Sequence, residues 1–238
     1  MLLFYIRHGD PTYKPDELTP LGKRQAEALA KRLSLYGIDE IYASTSNRAI
    51  ETALPTCEIL QKELKVLDFA NEKHAAKAMV IENESGRHWI FRDKGIRMLF
   101  GEESVYQLGF EWYKHPRLIQ YSGLGEEMER VYRETDTFWE LLGMEHIHYS
   151  GTYKINVSNE KRVALFAHQG FGMAFMSCLL DIPYPQFCRH FDFCHSGMTV
   201  IQFRENEGYA IPCVLTHSSD SHLYREGLPT LYNKQICF

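Results

Sequence analysis

The hydrophobic pattern divides the chain into two regular ends and an irregular middle. Leu2 to Ile6 is an unbroken apolar run, as expected of a strand buried on both faces, and it stops at Arg7-His8-Gly9. Thr19-Pro20 reads as an N-cap and first helical position, and Leu21, Ala26, Leu29 and Leu33 then form one stripe up to Leu35, with Gly37 as the stop. Ile38 to Ala43 reads as a second strand, 49–62 as a helix that Ser46 or Asn47 can cap, and Lys65 to Phe69 as a third strand. Strand, helix and strand in this order predict a right-handed βαβ unit with parallel strands.

Regularity breaks down between about 75 and 160. Hairpins are predicted over 79–92 and 146–157, and a helix over 126–142 on the spacing of Met128, Val131, Thr135, Phe138 and Trp139. Order returns at Arg162 to Ala167, a second apolar run, which ends at His168-Gln169-Gly170. An apolar helix over 171–180 and a hairpin of strands 198–204 and 210–216 follow. The pattern predicts one α/β domain over 1–238, a three-layer α/β/α sandwich on a mostly parallel sheet. The segment 75–160 is expected as an insertion, a lid over the sheet's carboxyl edge.

In such a sheet, ligands bind at the carboxyl ends of strands. Those ends carry Arg7-His8-Gly9, Arg48 at a helix start, Glu72 and His168. A guanidinium grips phosphate through paired hydrogen bonds, and an imidazole can act as nucleophile or proton carrier. Arg48 opposes the dipole of its own helix, a misfit that a bound anion would relieve. Gly9 is expected to let the backbone approach a ligand closely.

Composition narrows the classes. A net charge of −5 and no basic run argue against nucleic acid, so an anion must be captured by a local pocket. No apolar stretch reaches the ~18 residues needed to span a bilayer, and no basic leader precedes Leu2, so no membrane is expected. Six cysteines without a C-x-x-C pair suit reduced thiols and a cytoplasmic location. His146-x-His148 has metal-ligand types but no third partner in view, so no metal and no cofactor are expected. Nothing in the pattern specifies an oligomeric state.

Three motifs in order carry a resemblance to the histidine phosphatase superfamily, which includes cofactor-dependent phosphoglycerate mutases and many phosphatases. They are Arg7-His8-Gly9, the stretch Ser44 to Ala53, and Ala167-His168-Gln169-Gly170; Thr216 to Leu223 is similar to the family's last strand and loop. The resemblance implies that His8 is the nucleophile that becomes phosphohistidine. It implies that Arg7 and Arg48 clamp the phosphate, and that His168 stabilises charge on the transferring oxygens. Asn71-Glu72-Lys73-His74 resembles the mutase segment bearing the general acid, which selects Glu72, although Ala75-Ala76 replace the usual Tyr-Gly. Asp10-Pro11-Thr12 also departs from the mutase pattern. The expected function is therefore a metal-independent phosphatase acting on a small phosphorylated substrate. The alternatives are a phosphomutase and a non-catalytic phosphate-binding module.

Overall fold

The apolar run at the start of the chain lies at the centre of the sheet. A computed structural model describes residues 1–84, 86–230 and 232; in it Leu2–Arg7 forms strand β1, whose Leu3, Phe4, Tyr5 and Ile6 are fully buried. Alternate side chains take opposite faces of a strand. Phe4 and Ile6 join one apolar cluster with Leu29, Leu33 and Phe166, while Leu3 and Tyr5 join another with Trp139, Leu165 and Phe175. Helices cover both faces, which is why the run has no polar alternation.

The sheet also holds β2 (Glu40–Ser44), β3 (Leu64–Leu67), β4 (Met144–Ile147), β5 (Thr152–Ile155), β6 (Arg162–Ala167), β7 (Met198–Asn206) and β8 (Tyr209–Ser219). The spatial order is β3-β2-β6-β1-β7-β8-β5-β4. β3, β2, β6 and β1 are parallel, and each later pairing is antiparallel, so six of the eight strands point one way. Helices α1 (Pro20–Ser34) and α2 (Asn47–Leu60) pack together on one face. Helix α3 (Glu72–Met79) follows β3. It packs with α4 (Leu124–Leu141) and α5 (Gln169–Leu180), which bury their apolar stripes on the opposite face. The three-layer α/β/α architecture follows.

One part of the predicted insertion belongs elsewhere. The hairpin expected over 146–157 is β4–β5, and it extends the central sheet beyond β8 rather than covering the carboxyl edge. Tyr153 fixes it there: the side chain is fully buried, and its hydroxyl donates to the Leu179 carbonyl at 2.9 Å. The earlier hairpin, Val80–Asn83 with Gly86–Trp89, is a separate two-stranded ribbon. Its Trp89 lies on the start of α5, where a Cβ at Gly170 would come within 2.4 Å of the indole.

Two glycines set the distance between the β1 loop and α1. A Cβ at Gly22 would stand 2.1 Å from the Asp10 carbonyl oxygen, and one at Gly9 would stand 2.8 Å from the Gly22 carbonyl oxygen. The lack of a Cβ at Gly9 therefore allows the close approach to α1. Both obstacles are backbone and cannot rotate away, so Gly22→Ala is expected to cost about 2–3 kcal/mol. That corresponds to a fall in Tm of roughly 5–10 °C by calorimetry. An unchanged Tm would show that the loop yields freely.

No helix among the described residues is long and apolar enough to cross a membrane. The five described cysteines are free, four of them buried; Cys237 lies outside the described residues.

Candidate active site

Three neighbouring parallel strands, β2, β6 and β1, end at one edge and deliver the polar groups that follow them. His8 is 1% exposed and His168 fully buried; their rings lie 5.2 Å apart. His8, Glu72 and His168 each present an atom within 4.8 Å of the other two. Arg48 joins them, with Nη2 at 3.1 Å from His168 Nδ1 and 3.4 Å from Glu72 Oε2. The five residues singled out in the sequence thus occupy one edge, Arg7 beside His8 in the chain.

The tautomer of His8 follows from its partner. Nδ1 lies 2.7 Å from the Gly9 carbonyl oxygen, which can only accept, so Nδ1 carries the hydrogen and Nε2 the lone pair. Gly9 N–H donates to Thr52 Oγ1 at 3.0 Å, and that hydroxyl donates to the Arg48 carbonyl at 2.7 Å, joining the β1 loop to α2. Burial, aided by His168, Arg7 and Arg48, holds the His8 pKa well below that of an ordinary histidine. Burial together with Arg48 and Arg7 does the same to His168. Both rings are neutral at neutral pH. His168 accepts from Arg48 at Nδ1, and its Nε2 faces Ser44 Oγ at 2.8 Å and Ser46 Oγ at 3.3 Å.

The misfit of Arg48 at the start of α2 is relieved by the chain itself. Pro11–Tyr13 and Asp16–Leu18 form a short ribbon that brings in Asp16. One Asp16 oxygen accepts from the Asn47 N–H at 3.1 Å, and the other accepts from Arg48 Nη1 at 2.7 Å. The helix end that pointed to a bound anion is thus occupied by a carboxylate. Ser46 is the N-cap by backbone, yet its hydroxyl makes no capping bond and turns to His168.

Glu72 stands at the first position of α3, capped by Asn71. Its Oε1 accepts from the Gly170 N–H at 2.7 Å, at the start of α5, while Oε2 faces Arg48 and lies 3.8 Å from His168 Nδ1. The replaced Tyr-Gly therefore does not displace this carboxyl group.

His195 has no role in the sequence pattern, yet it belongs to the site. It precedes β7, the antiparallel neighbour of β1, whose first residues lie at the same sheet edge. Its Nε2 accepts from Arg7 Nη2 at 2.7 Å and its Nδ1 lies 3.5 Å from Asp10 Oδ1, while Arg7 Nη1 donates to the Phe193 carbonyl at 2.6 Å. Burial, with Arg7 and Arg92, lowers the His195 pKa to about 3. Asp10, where the chain leaves the mutase pattern, thus lies beside the imidazole to which Arg7 donates.

Of the cations between 87 and 97, Arg97 is committed to the Phe91, Cys188 and Arg189 carbonyls, and Arg87 and Lys94 are exposed. Arg92 is exposed as well, but it donates to Gln169 Oε1 at 2.6 Å, next to His168. Among the aromatics of the same segment, Phe91, Phe100 and Trp112 are core. His222, in the tail that resembles the family's, bonds Ser196 Oγ at 2.8 Å and packs beside α1.

The pair His146 and His148 does have a third partner. Asp136 arrives from α4, ten residues upstream, a neighbour that strand spacing could not reveal. Burial disfavours a charge on His146, but Asp136 and Asp181 outweigh it and raise its pKa to about 9.

Residues 3–94 match the profile of the histidine phosphatase superfamily (branch 1). Phosphoserine phosphatase 1 of Hydrogenobacter thermophilus is 27% identical over 153 residues, a match that covers 60% of this chain and 65% of that protein. Solved structures share the fold. The phosphoserine phosphatase of Entamoeba histolytica in complex with phosphoserine has a TM-score of 0.59 at 18% identity, covering 93% of this chain and 98% of that one. A mycobacterial glucosyl-3-phosphoglycerate phosphatase with VO3 has a TM-score of 0.61 at 17% identity, covering 92% and 99%. The alpha-ribazole phosphatase of Shigella flexneri has a TM-score of 0.58 at 19% identity, covering 92% and 97%.

Proposed function

We propose that this chain, whose residues 3–94 match the histidine phosphatase superfamily profile, is a histidine phosphatase that hydrolyses small phosphomonoesters through a phosphohistidine on His8. The observation that carries this reading is the bond from His8 Nδ1 to the Gly9 carbonyl, which leaves the Nε2 lone pair in a pocket containing two histidines, two arginines and one carboxyl group. Arg7 and Arg48 bind the phosphoryl oxygens and neutralise charge that spreads over them in the transition state. His8 Nε2 forms a bond to phosphorus as the ester P–O bond breaks, and protonated Glu72 supplies the proton to the leaving oxygen. Glu72, now a carboxylate, takes a proton from water as that water attacks phosphohistidine. The P–N bond breaks and inorganic phosphate leaves.

The arginines supply the positive charge, so the reaction is assigned as metal-independent. Phosphoserine and 3-phosphoglyceric acid, found with the Entamoeba histolytica enzyme, set the size of substrate to try first. Five unbridged cysteines fit a reducing, cytoplasmic location.

Turnover of p-nitrophenyl phosphate in excess EDTA tests the assignment, and its pH dependence tests the state of His8. A nucleophile with a depressed pKa stays unprotonated as pH falls through the ordinary histidine value near 6.5. After correction for substrate ionisation, kcat/KM should therefore show no acid limb between pH 8 and about 6. Zero turnover across this range would leave a phosphate-binding module, and interconversion of phosphoglycerates without phosphate release would mark a mutase.

A further inference from the structure

A second cluster of chemistry-bearing side chains lies at the opposite edge of the sheet. β4 is four strand positions from β1, roughly 20 Å at the usual strand spacing. His146 is near the end of β4 and His148 just beyond it; Asp136 projects from α4, and Asp181 follows α5. Asp136 bridges the two imidazoles, with one oxygen 3.1 Å from His146 Nδ1 and the other 2.6 Å from His148 Nε2. On its far side, His146 Nε2 lies 3.1 Å from Asp181 Oδ2.

A neutral imidazole has one N–H and can satisfy one carboxylate. His146 faces a carboxylate at each nitrogen: a doubly protonated ring donates to both, and a metal ion on Nδ1 would take the place of one of those protons. The ring is fixed, its side chain 1% exposed and stacked on Tyr153 with centroids 4.5 Å apart. Asp181 is equally fixed: Oδ2 also accepts from the Gly151 N–H at 2.8 Å, and its backbone holds a left-handed φ of 49°. The Asp181 side chain is 3% exposed, yet its buried Oδ1 has no hydrogen-bond partner.

We propose that Asp136, His146 and His148 bind a divalent ion of the zinc class, with Asp181 orienting His146 from behind. Two imidazoles and a carboxylate are borderline ligands that suit zinc, and a carboxylate on the far nitrogen is the usual support of a metal-bound histidine. One ligand atom from each of the three residues already lies within 4.8 Å of the others. Closure to the edges of about 3.4 Å set by a tetrahedral ion with bonds near 2.1 Å is a small movement, because His148 is 42% exposed and free to shift. Asp136 and His148 themselves line a cavity of about 470 Å³ with Glu129, Tyr132 and Glu140, from which water would complete the sphere. The ion would tie α4 to the β4–β5 hairpin, a structural role separate from phosphate chemistry.

The test is calorimetric titration of Zn²⁺ into the full chain after EDTA treatment and dialysis, with Co²⁺ absorption as a second readout. The His8, Glu72 and His168 cluster could also take zinc, so the titration is repeated with His8→Ala. One ion per chain should bind to both proteins, and Zn²⁺ a hundredfold above Kd should raise Tm by about 5 °C or more. His148→Ala and Asp136→Asn should each weaken binding at least tenfold and lose the Co²⁺ band, while turnover of p-nitrophenyl phosphate stays at the wild-type rate. The proposal is overturned if no ion binds more tightly than about 100 µM, or if binding survives both substitutions. It is equally overturned if binding disappears with His8→Ala alone.

Discussion

His8→Ala is expected to abolish turnover, lowering kcat by about 10⁴-fold or more, while binding of inorganic phosphate changes only a few-fold. The asymmetry follows from the division of labour in the pocket. In the proposed scheme affinity resides in Arg7, Arg48 and His168, which the substitution leaves in place, whereas the bond to phosphorus is made by His8 Nε2 alone. Removing the ring also removes a hydrogen bond that is local, to the carbonyl of the next residue, so the fold should survive with a modest loss of Tm. Steady-state assays with p-nitrophenyl phosphate and phosphate titration on the same preparation check both halves. Substantial activity in His8→Ala would remove the nucleophile from the scheme. Loss of phosphate binding together with activity would instead mean that the pocket had collapsed.

Glu72→Gln should separate the two chemical steps. An alkoxide leaving group needs a proton as it departs, so phosphate release from phosphoserine is expected to fall by about 10²–10⁴-fold. Nitrophenolate leaves without one. The first-turnover burst from p-nitrophenyl phosphate should therefore stay within about tenfold of wild type. The later turnovers should slow, because water attack on phosphohistidine lacks its base. The substitution preserves shape, and the carboxamide oxygen it introduces can still accept from the Gly170 N–H. An equal loss in the burst with both substrates would assign Glu72 to positioning Arg48 and α5 rather than to proton transfer.

The parts of the site that could be read from the chain were those that follow continuous apolar strands. Buried parallel strands give unbroken runs, and a run ending in Arg-His-Gly or His-Gln-Gly marks a sheet edge without knowledge of the rest. Arg7, His8, Arg48 and His168 were therefore legible, and Glu72 became legible through the resemblance. Asp16 and His195 were not. Their signal is tertiary: Asp16 comes from a three-residue ribbon, and His195 comes from the start of a strand that runs the other way. These two residues answer the electrostatics of the pocket, where Asp16 and Glu72 engage Arg48 and His195 engages Arg7. As the phosphate clamps we propose, the two arginines are held in position beforehand, which limits the ordering that binding must impose.

The β4–β5 hairpin was misplaced for a related reason. Its periodicity predicted two strands correctly, but nothing local distinguishes a hairpin over the active site from one that extends the sheet. Pairing of Tyr209 and Ala210 with Lys154 and Tyr153 decides between them. The same packing brings α4 beside the hairpin and supplies Asp136, the partner that His146 and His148 lacked in the linear sequence.

The most direct measurement mixes Glu72→Gln protein with p-nitrophenyl [³²P]phosphate, quenches in base within the burst, and maps the label. Phosphorylation should proceed while water attack is slowed, so close to one phosphate per chain should be found on His8 and none in the Glu72→Gln, His8→Ala double variant. A burst of nitrophenolate with no protein-bound phosphate, or with label on another residue, would contradict the account.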